Sequence, residues 1–200
     1  MTIKATIWDF SRVLLQPRMA DPHTFIAREL GIDPLKFANY FNGEENARLD
    51  LGEESEAEFY RRIIREQGLK MEALHIFERY FFDLFNVNEE LIDYIRNSRP
   101  QLETAICSNF SSLLRTLLEK KWKIIDAFDV LVISSEVKLL KPDPRIYQLT
   151  LNCLQVKPEE AIFIDDTEKN VLGAQALGIH GIIFKDSQET IQQIEKIIQL

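Results

Sequence analysis

The stretch "EAIFIDDTEKNVLGAQALG" (residues 160–178) decides the fold. Its first part is a short apolar run of the kind that forms a strand buried on both faces. Two acids, Asp165 and Asp166, end that run. An amphipathic segment follows and stops at Gly178, a residue suited to the position just past a helix. A buried strand that hands over to a helix through two carboxylates is one half of a parallel α/β unit.

The same pattern recurs on both sides of it. "TIKATIWD" (2–9), "LETAICS" (102–108), "FDVLVIS" (128–134) and "HGIIFKD" (180–186) each carry a short apolar core with polar or turn-like flanks. Amphipathic segments follow at "FSSLLRTLLEKK" (110–121), "DPRIYQLTLNCLQ" (143–155) and "SQETIQQIEKIIQL" (187–200). Strand–helix alternation of this kind predicts an α/β fold, a Rossmann-like, doubly wound parallel sheet with right-handed crossovers.

One interval breaks the rhythm. About 90 residues separate the first strand from the second, too many for a structureless loop in a compact domain. "DPHTFIAREL" (21–30), "DPLKFANYFN" (33–42), "SEAEFYRRIIREQ" (55–67) and "MEALHIFERYFFDLF" (71–85) read as helices, and no strand is expected among them. Both Asp-Pro pairs offer an N-cap followed by proline at the first helical position. The interval therefore reads as an inserted α-helical subdomain over 15–97, including a return helix near 88–97, with the core formed by 1–14 and 98–200. Within it, "EENARLDLGEESEAEF" (44–59) reads as a solvated acidic loop that ends in a capping box of Ser55 and Glu58. The aromatic run "FERYFFDLF" (77–85) reads as packing between these helices or, since few polar residues interrupt it, as the lining of a substrate pocket or partner surface.

Composition narrows the function. The 200 residues are 46% hydrophobic and 28% charged, with a formal net charge of -8. That balance is ordinary for a soluble globular protein. It argues against a nucleic-acid or acidic membrane surface, but not against a small anionic substrate bound at a local cationic pocket. No apolar run approaches the ~18 residues of a membrane helix, and no signal-like segment precedes the first strand. A cytoplasmic protein is the expectation. Cys107 and Cys153 read as buried reduced thiols, and no Cys/His cluster suggests zinc. His23, His75 and His180 stand apart, with no partner at ligand spacing.

Ligands of doubly wound sheets bind beyond the carboxyl ends of the strands. There the sequence places Asp9 and Ser11, then Ser108 and Asn109, then Lys141 (with Lys138 a weaker claimant), then Asp165 and Asp166, with Asn170 one helical turn on. Three crowded carboxylates repel one another unless a cation intervenes. Mg²⁺, a hard ion that takes oxygen ligands, is suited to that place. With Lys141 it could neutralise a phosphoryl group, Ser108 could hold a further oxygen, and Asp9 could attack phosphorus.

This ordered set resembles the haloacid dehalogenase superfamily of hydrolases. "WDFSRVLL" (8–15), "AICSNFS" (105–111), "KPDPRIY" (141–147) and "FIDDTEKNVLGAQALG" (163–178) are similar to its four motifs in order, and the helical insertion is similar to its helical-cap subclass, in which the region of 44–59 lies near the site entrance and can shape specificity. The resemblance implies a Mg²⁺-dependent hydrolase, a phosphatase or phosphotransferase acting on a small phosphorylated metabolite through an aspartyl phosphate on Asp9. It implies Asp9, the Ser11 carbonyl, Asp165 and Asp166 as metal ligands, Ser108, Asn109 and Arg12 around the phosphate, Lys141 orienting both nucleophile and phosphate, and Asn170 in support. No nucleic acid or membrane is implied, and the protein would be a monomer or homodimer. Motif one departs from the pattern. Ser11 stands where the family's second Asp moves the proton, and Arg12 stands where a glycine is usual. Proton transfer by such a group is typically worth about 10²–10⁴-fold. Two alternatives stay open on that ground: a metal-independent 2-haloacid dehalogenase, and a catalytically impaired member that binds a phosphorylated ligand or a protein.

Overall fold

The computed structural model describes residues 2–41, 43–99 and 101–199, and the side chains of all of these except residues 43, 44 and 80–82. Its strands are β1 (Ala5–Trp8), β2 (Leu15–Pro17), β3 (Phe85–Val87), β4 (Glu103–Ser108), β5 (Val130–Ile133), β6 (Ala161–Asp165) and β7 (His180–Ile183). Its helices are α1 (Pro22–Leu30), α2 (Pro34–Tyr40), α3 (Gly43–Asp50), α4 (Glu56–Glu66), α5 (Leu74–Leu84), α6 (Glu89–Ser98), α7 (Leu113–Thr116), α8 (Ser134–Val137), α9 (Pro144–Leu154), α10 (Glu168–Gln175) and α11 (Ser187–Ile198).

Five strands form one parallel sheet in the order β5-β4-β1-β6-β7. The chain leaves β1 to one side and later returns to its other side, so the switch point lies at β1. Strand residues alternate between two apolar clusters, as the two-residue period of a strand requires. Ile7, Ala105, Cys107 and Phe163 pack with Ile146, Tyr147 and Leu151 of α9. Trp8, Ile106, Ile162 and Ile164 face the cluster that holds Leu91, Ile92 and Ile95 of α6. The expected Rossmann-like α/β sheet is therefore present.

The inserted stretch is mostly helical, with two departures from expectation. Leu15–Pro17 and Phe85–Val87 pair as a small antiparallel ribbon, where no strand was expected. Each strand has only three residues, too few to show a period. The acidic stretch read as a loop contains α3, in which Asn46 donates to Asp50 Oδ2 at 2.7 Å one turn on. The caps match the sequence reading: Asp21 and Asp33 accept from Thr24 N and Lys36 N, and Ser55 with Glu58 completes its capping box. Phe77 is buried and stacks on Tyr60 at 4.9 Å, whereas the side chains of 80–82 in the aromatic run lie outside the described residues.

At the far end of the insertion, α6 packs on the sheet side of the molecule. Asn88 donates to Ser187 Oγ, Tyr94 donates to Glu195, and Arg96 pairs with Asp126. Among the described residues, three bonds tie the other inserted elements to the sheet's helices. Ser134 Oγ donates to the Asp50 carbonyl at 2.6 Å, Lys138 Nζ to the Gly52 carbonyl at 2.8 Å, and Leu113 N to Glu56 Oε1 at 2.9 Å. Gly52 is needed at this junction. It sits at φ +64°, and a Cβ there would lie 2.5 Å from the Ser135 carbonyl oxygen. Of the two cysteines, Cys107 is buried in β4, but Cys153 is exposed on α9, which corrects the expectation of two buried thiols. Cys153 immediately precedes the buried Leu154, on the turn of the helix that faces away from the sheet. Among the described residues no helix is long and apolar enough to cross a membrane.

Candidate active site

β1 runs into the site through its own hydrogen-bond ladder. Asp9 N donates to the Ile164 carbonyl at 2.8 Å, which extends the pairing with β6 one residue past the strand. The chain then folds back at once, with Leu15 N on the Phe10 carbonyl at 2.8 Å. Arg12 sits at the tip of this turn with φ +60°, a left-handed conformation that favours glycine. Its exposed guanidinium lies 3.7 Å from Asp166 Oδ2.

Beneath the turn the charges interlock. Lys141 Nζ bridges Asp9 Oδ1 at 2.7 Å and Asp165 Oδ2 at 2.6 Å, and all three groups are buried. Ser108 Oγ, at the end of β4, donates to the same Asp9 oxygen at 2.8 Å. Asp165 also accepts from Thr167 N and from Asn170 Nδ2. Asn109 fixes the lysine from behind, since its side chain both donates to the Lys141 carbonyl and accepts from the Lys141 N–H. The Lys141–Pro142 peptide bond is cis. Gly173 of α10 lets that loop approach, because a Cβ there would lie 2.9 Å from Pro142 Cβ.

Burial pushes the Asp9 carboxyl up to about 6, helped by Asp165 and opposed by Lys141 and Ser108. Burial alone would lower the Lys141 ammonium, but Asp9 and Asp165 hold it well above its ordinary range. Each of Asp9, Asp165 and Asp166 offers an oxygen within 4.8 Å of the others. Three carboxylates against one buried ammonium leave two negative charges, which a divalent cation would balance. The donors are all hard oxygens, and beside them the buried Asn170 Oδ1 has no hydrogen-bond partner among the described residues. Both observations fit Mg²⁺.

All the sequence-predicted site residues except the weaker claimant Lys138 lie here. Asp9, Ser11, Arg12, Asn109, Lys141, Asp166 and Asn170 line one cavity of about 640 Å³, and Ser108 and Asp165 are bonded to its floor. Lys138 does not line it and holds Gly52 instead. The sequence names no residue of the opposite wall as a site residue, although the resemblance places 44–59 near the entrance. His23 and Phe41 form part of that wall, with ring centroids 5.1 Å apart. So do Asn46, Asp50 and Tyr60. Burial lowers the His23 imidazolium and pushes the Asp50 carboxyl up to about 7, against the pull of its Asn46 hydrogen bond. The sequence signals for this wall are the acidic run at 44–59 and the aromatic run 77–85, whose Phe85 lines the cavity.

Residues 37–184 match the family model of the haloacid dehalogenase-like hydrolases. The chain belongs to this hydrolase family. Among its relatives is the phosphorylated carbohydrates phosphatase of Thermotoga maritima, 28% identical over 165 residues that take in 72% of this chain and 76% of that protein. Bifunctional epoxide hydrolase 2 of Sus scrofa is 23% identical over 228 aligned positions, covering 98% of this chain. The chain spans only 39% of that relative's length. A family enzyme of Bacteroides thetaiotaomicron, solved with magnesium and inorganic phosphate, shares the fold at a TM-score of 0.81, with 22% identity over 94% of this chain and 98% of its own.

Proposed function

We propose that this haloacid dehalogenase-like hydrolase is a Mg²⁺-dependent phosphatase or phosphotransferase for a small phosphorylated molecule, with Asp9 as the nucleophile. The observation that carries this reading is the floor of the cavity, where Asp9 is held by Lys141 and Ser108 beside two further acids. The Thermotoga phosphatase, and the magnesium and phosphate in the Bacteroides enzyme, support it.

In this reading Asp9, the Ser11 carbonyl, Asp165 and Asp166 hold Mg²⁺. The ion, when bound, supplies charge neutralisation for the phosphoryl oxygens. Lys141 neutralises a further phosphoryl oxygen, Ser108 and Asn109 keep nucleophile and lysine in place, and Arg12 offers a cation at the rim. The Asp9 carboxylate attacks phosphorus, the bond to the leaving oxygen breaks, and an aspartyl phosphate forms. Water then attacks that phosphorus and frees Asp9. Most of the acceleration comes from position and fixed charge. Within the segment 15–97 the elements before α6 act as a cap that shapes the entrance, while the return helix α6 packs with the core of 1–14 and 98–200.

The test is release of phosphate from a panel of sugar and other small phosphate esters, with Mg²⁺ and with EDTA. Turnover that requires Mg²⁺ and is lost in Asp9→Asn is expected. Turnover of a 2-haloacid that survives EDTA would overturn the reading in favour of dehalogenation.

A further inference from the structure

We propose that Asp50, carried by inserted helix α3, supplies the proton transfer that Ser11 cannot. The inference rests on the phosphatase reading and completes its chemistry.

Asp50 lines the same cavity as Asp9 and Ser11. The charges of Asp9 and Lys141 act on its carboxyl across that cavity, Asp9 raising its proton affinity and Lys141 lowering it. Its position is built from both sides. Ser134 Oγ, at the end of β5, donates to its carbonyl at 2.6 Å, and Lys138 Nζ holds the carbonyl of Gly52 two residues on. Asn46 Nδ2 occupies Oδ2 at 2.7 Å, while Oδ1 takes no hydrogen bond among the described residues. The carboxyl is thus anchored through one oxygen and has the other free for a proton. Burial also brings its affinity for that proton close to neutral pH, where one group can serve as acid and then as base. Ser11 lines the cavity beside Asp9 but carries only a hydroxyl.

The proton balance closes on one residue. As Asp9 attacks and the P–O bond to the leaving group breaks, protonated Asp50 gives its proton to the departing oxygen, and an alcohol leaves. The Asp50 carboxylate then takes a proton from the water whose oxygen attacks the aspartyl phosphate. The P–O bond to Asp9 breaks, inorganic phosphate leaves, and Asp50 is protonated again.

The experiment compares wild type, Asp50→Asn, Ser11→Asp and the double variant on phenyl phosphate and p-nitrophenyl phosphate with Mg²⁺. Asp50→Asn should lower kcat on phenyl phosphate by about 10²-fold or more with little change in KM. The loss should be smaller on p-nitrophenyl phosphate, whose leaving group is the weaker base, and Ser11→Asp should restore activity to Asp50→Asn. Thermal stabilisation by Mg²⁺ with beryllium fluoride should survive in Asp50→Asn, because Asp9, Lys141 and the acid pair are intact. An Asp50→Asn variant with wild-type kcat on both esters overturns the proposal, as does one that loses the beryllium fluoride shift, since its defect is then structural. A silent wild type beside an active Ser11→Asp overturns the role of Asp50 and leaves the phosphatase site standing. Silence in wild type and Ser11→Asp alike overturns both.

Discussion

The floor and the wall of the cavity solve the same electrostatic problem in different ways. On the floor, Asp9, Lys141 and Asp165 are buried together, and each charge is answered by another within 2.7 Å. On the wall, Asp50 is partly buried with a neutral amide, Asn46, as its hydrogen-bond partner. Burying a charge is costly unless it is paired, and on the floor Lys141 opposes that cost for Asp9, whose carboxyl burial still pushes up to about 6. The wall group meets the same cost by holding its proton up to about pH 7. The contrast sets carboxylates bridged by an ammonium at the strand ends against a carboxyl on the insertion held by a neutral amide.

The sharpest way to break this contrast is to remove the ion that joins the floor. Lys141→Met leaves Asp9 and Asp165 buried without a counter-charge. Breaking such a buried pair costs about 3–5 kcal/mol. Denaturant unfolding in EDTA should show a loss of that size, and Mg²⁺ should recover part of it. A variant as stable as wild type in EDTA would mean that the floor is not held by its charges.

A smaller effect of opposite sign is expected on the wall. The Asp50 carboxyl is raised from its ordinary value of 3.8 to about 7, mainly by burial, with Asp9 raising it further while the Asn46 hydrogen bond and Lys141 oppose. A carboxyl raised on folding contributes stability that is present below the unfolded value, about pH 4, and is lost as pH rises through about 7. Asp50→Asn removes that dependence. The variant should therefore be more stable than wild type at pH 8, by something on the order of 1 kcal/mol once solvent in the cavity is allowed for. The gain should shrink as pH falls toward 4. Asp9 titrates in both proteins, so the difference between their melting curves isolates Asp50. A difference that does not change with pH would contradict the assignment.

The same division explains what could be read from the sequence. Asp9, Ser108, Lys141, Asp165 and Asp166 follow short apolar runs, and in a parallel sheet the strand ends converge whatever lies between them. Asp21, Asp33 and Ser55 announce their helices by local capping chemistry alone. The α3 part of the wall has no such local signature. Asp50 lies in an acidic stretch whose charges mask a helical period, and its place depends on contacts with Ser134 and Lys138 more than 80 positions later. The β2–β3 ribbon joins Leu15 to Val87 over a comparable separation. Arg12 is visible as a departure from the family pattern, but its left-handed turn and its reach to Asp166 follow from the tertiary fold alone.

The central claim is that phosphoryl transfer passes through Asp9 and needs Asp50 to finish. Rapid quench of the Asp50→Asn variant with phenyl phosphate and Mg²⁺, followed by peptide mapping, measures it most directly. The account predicts a covalent phosphate on the peptide containing Asp9, at higher occupancy with p-nitrophenyl phosphate and abolished by Asp9→Asn. Turnover of either ester with no phosphate on that peptide, or with label retained in Asp9→Asn, would contradict it.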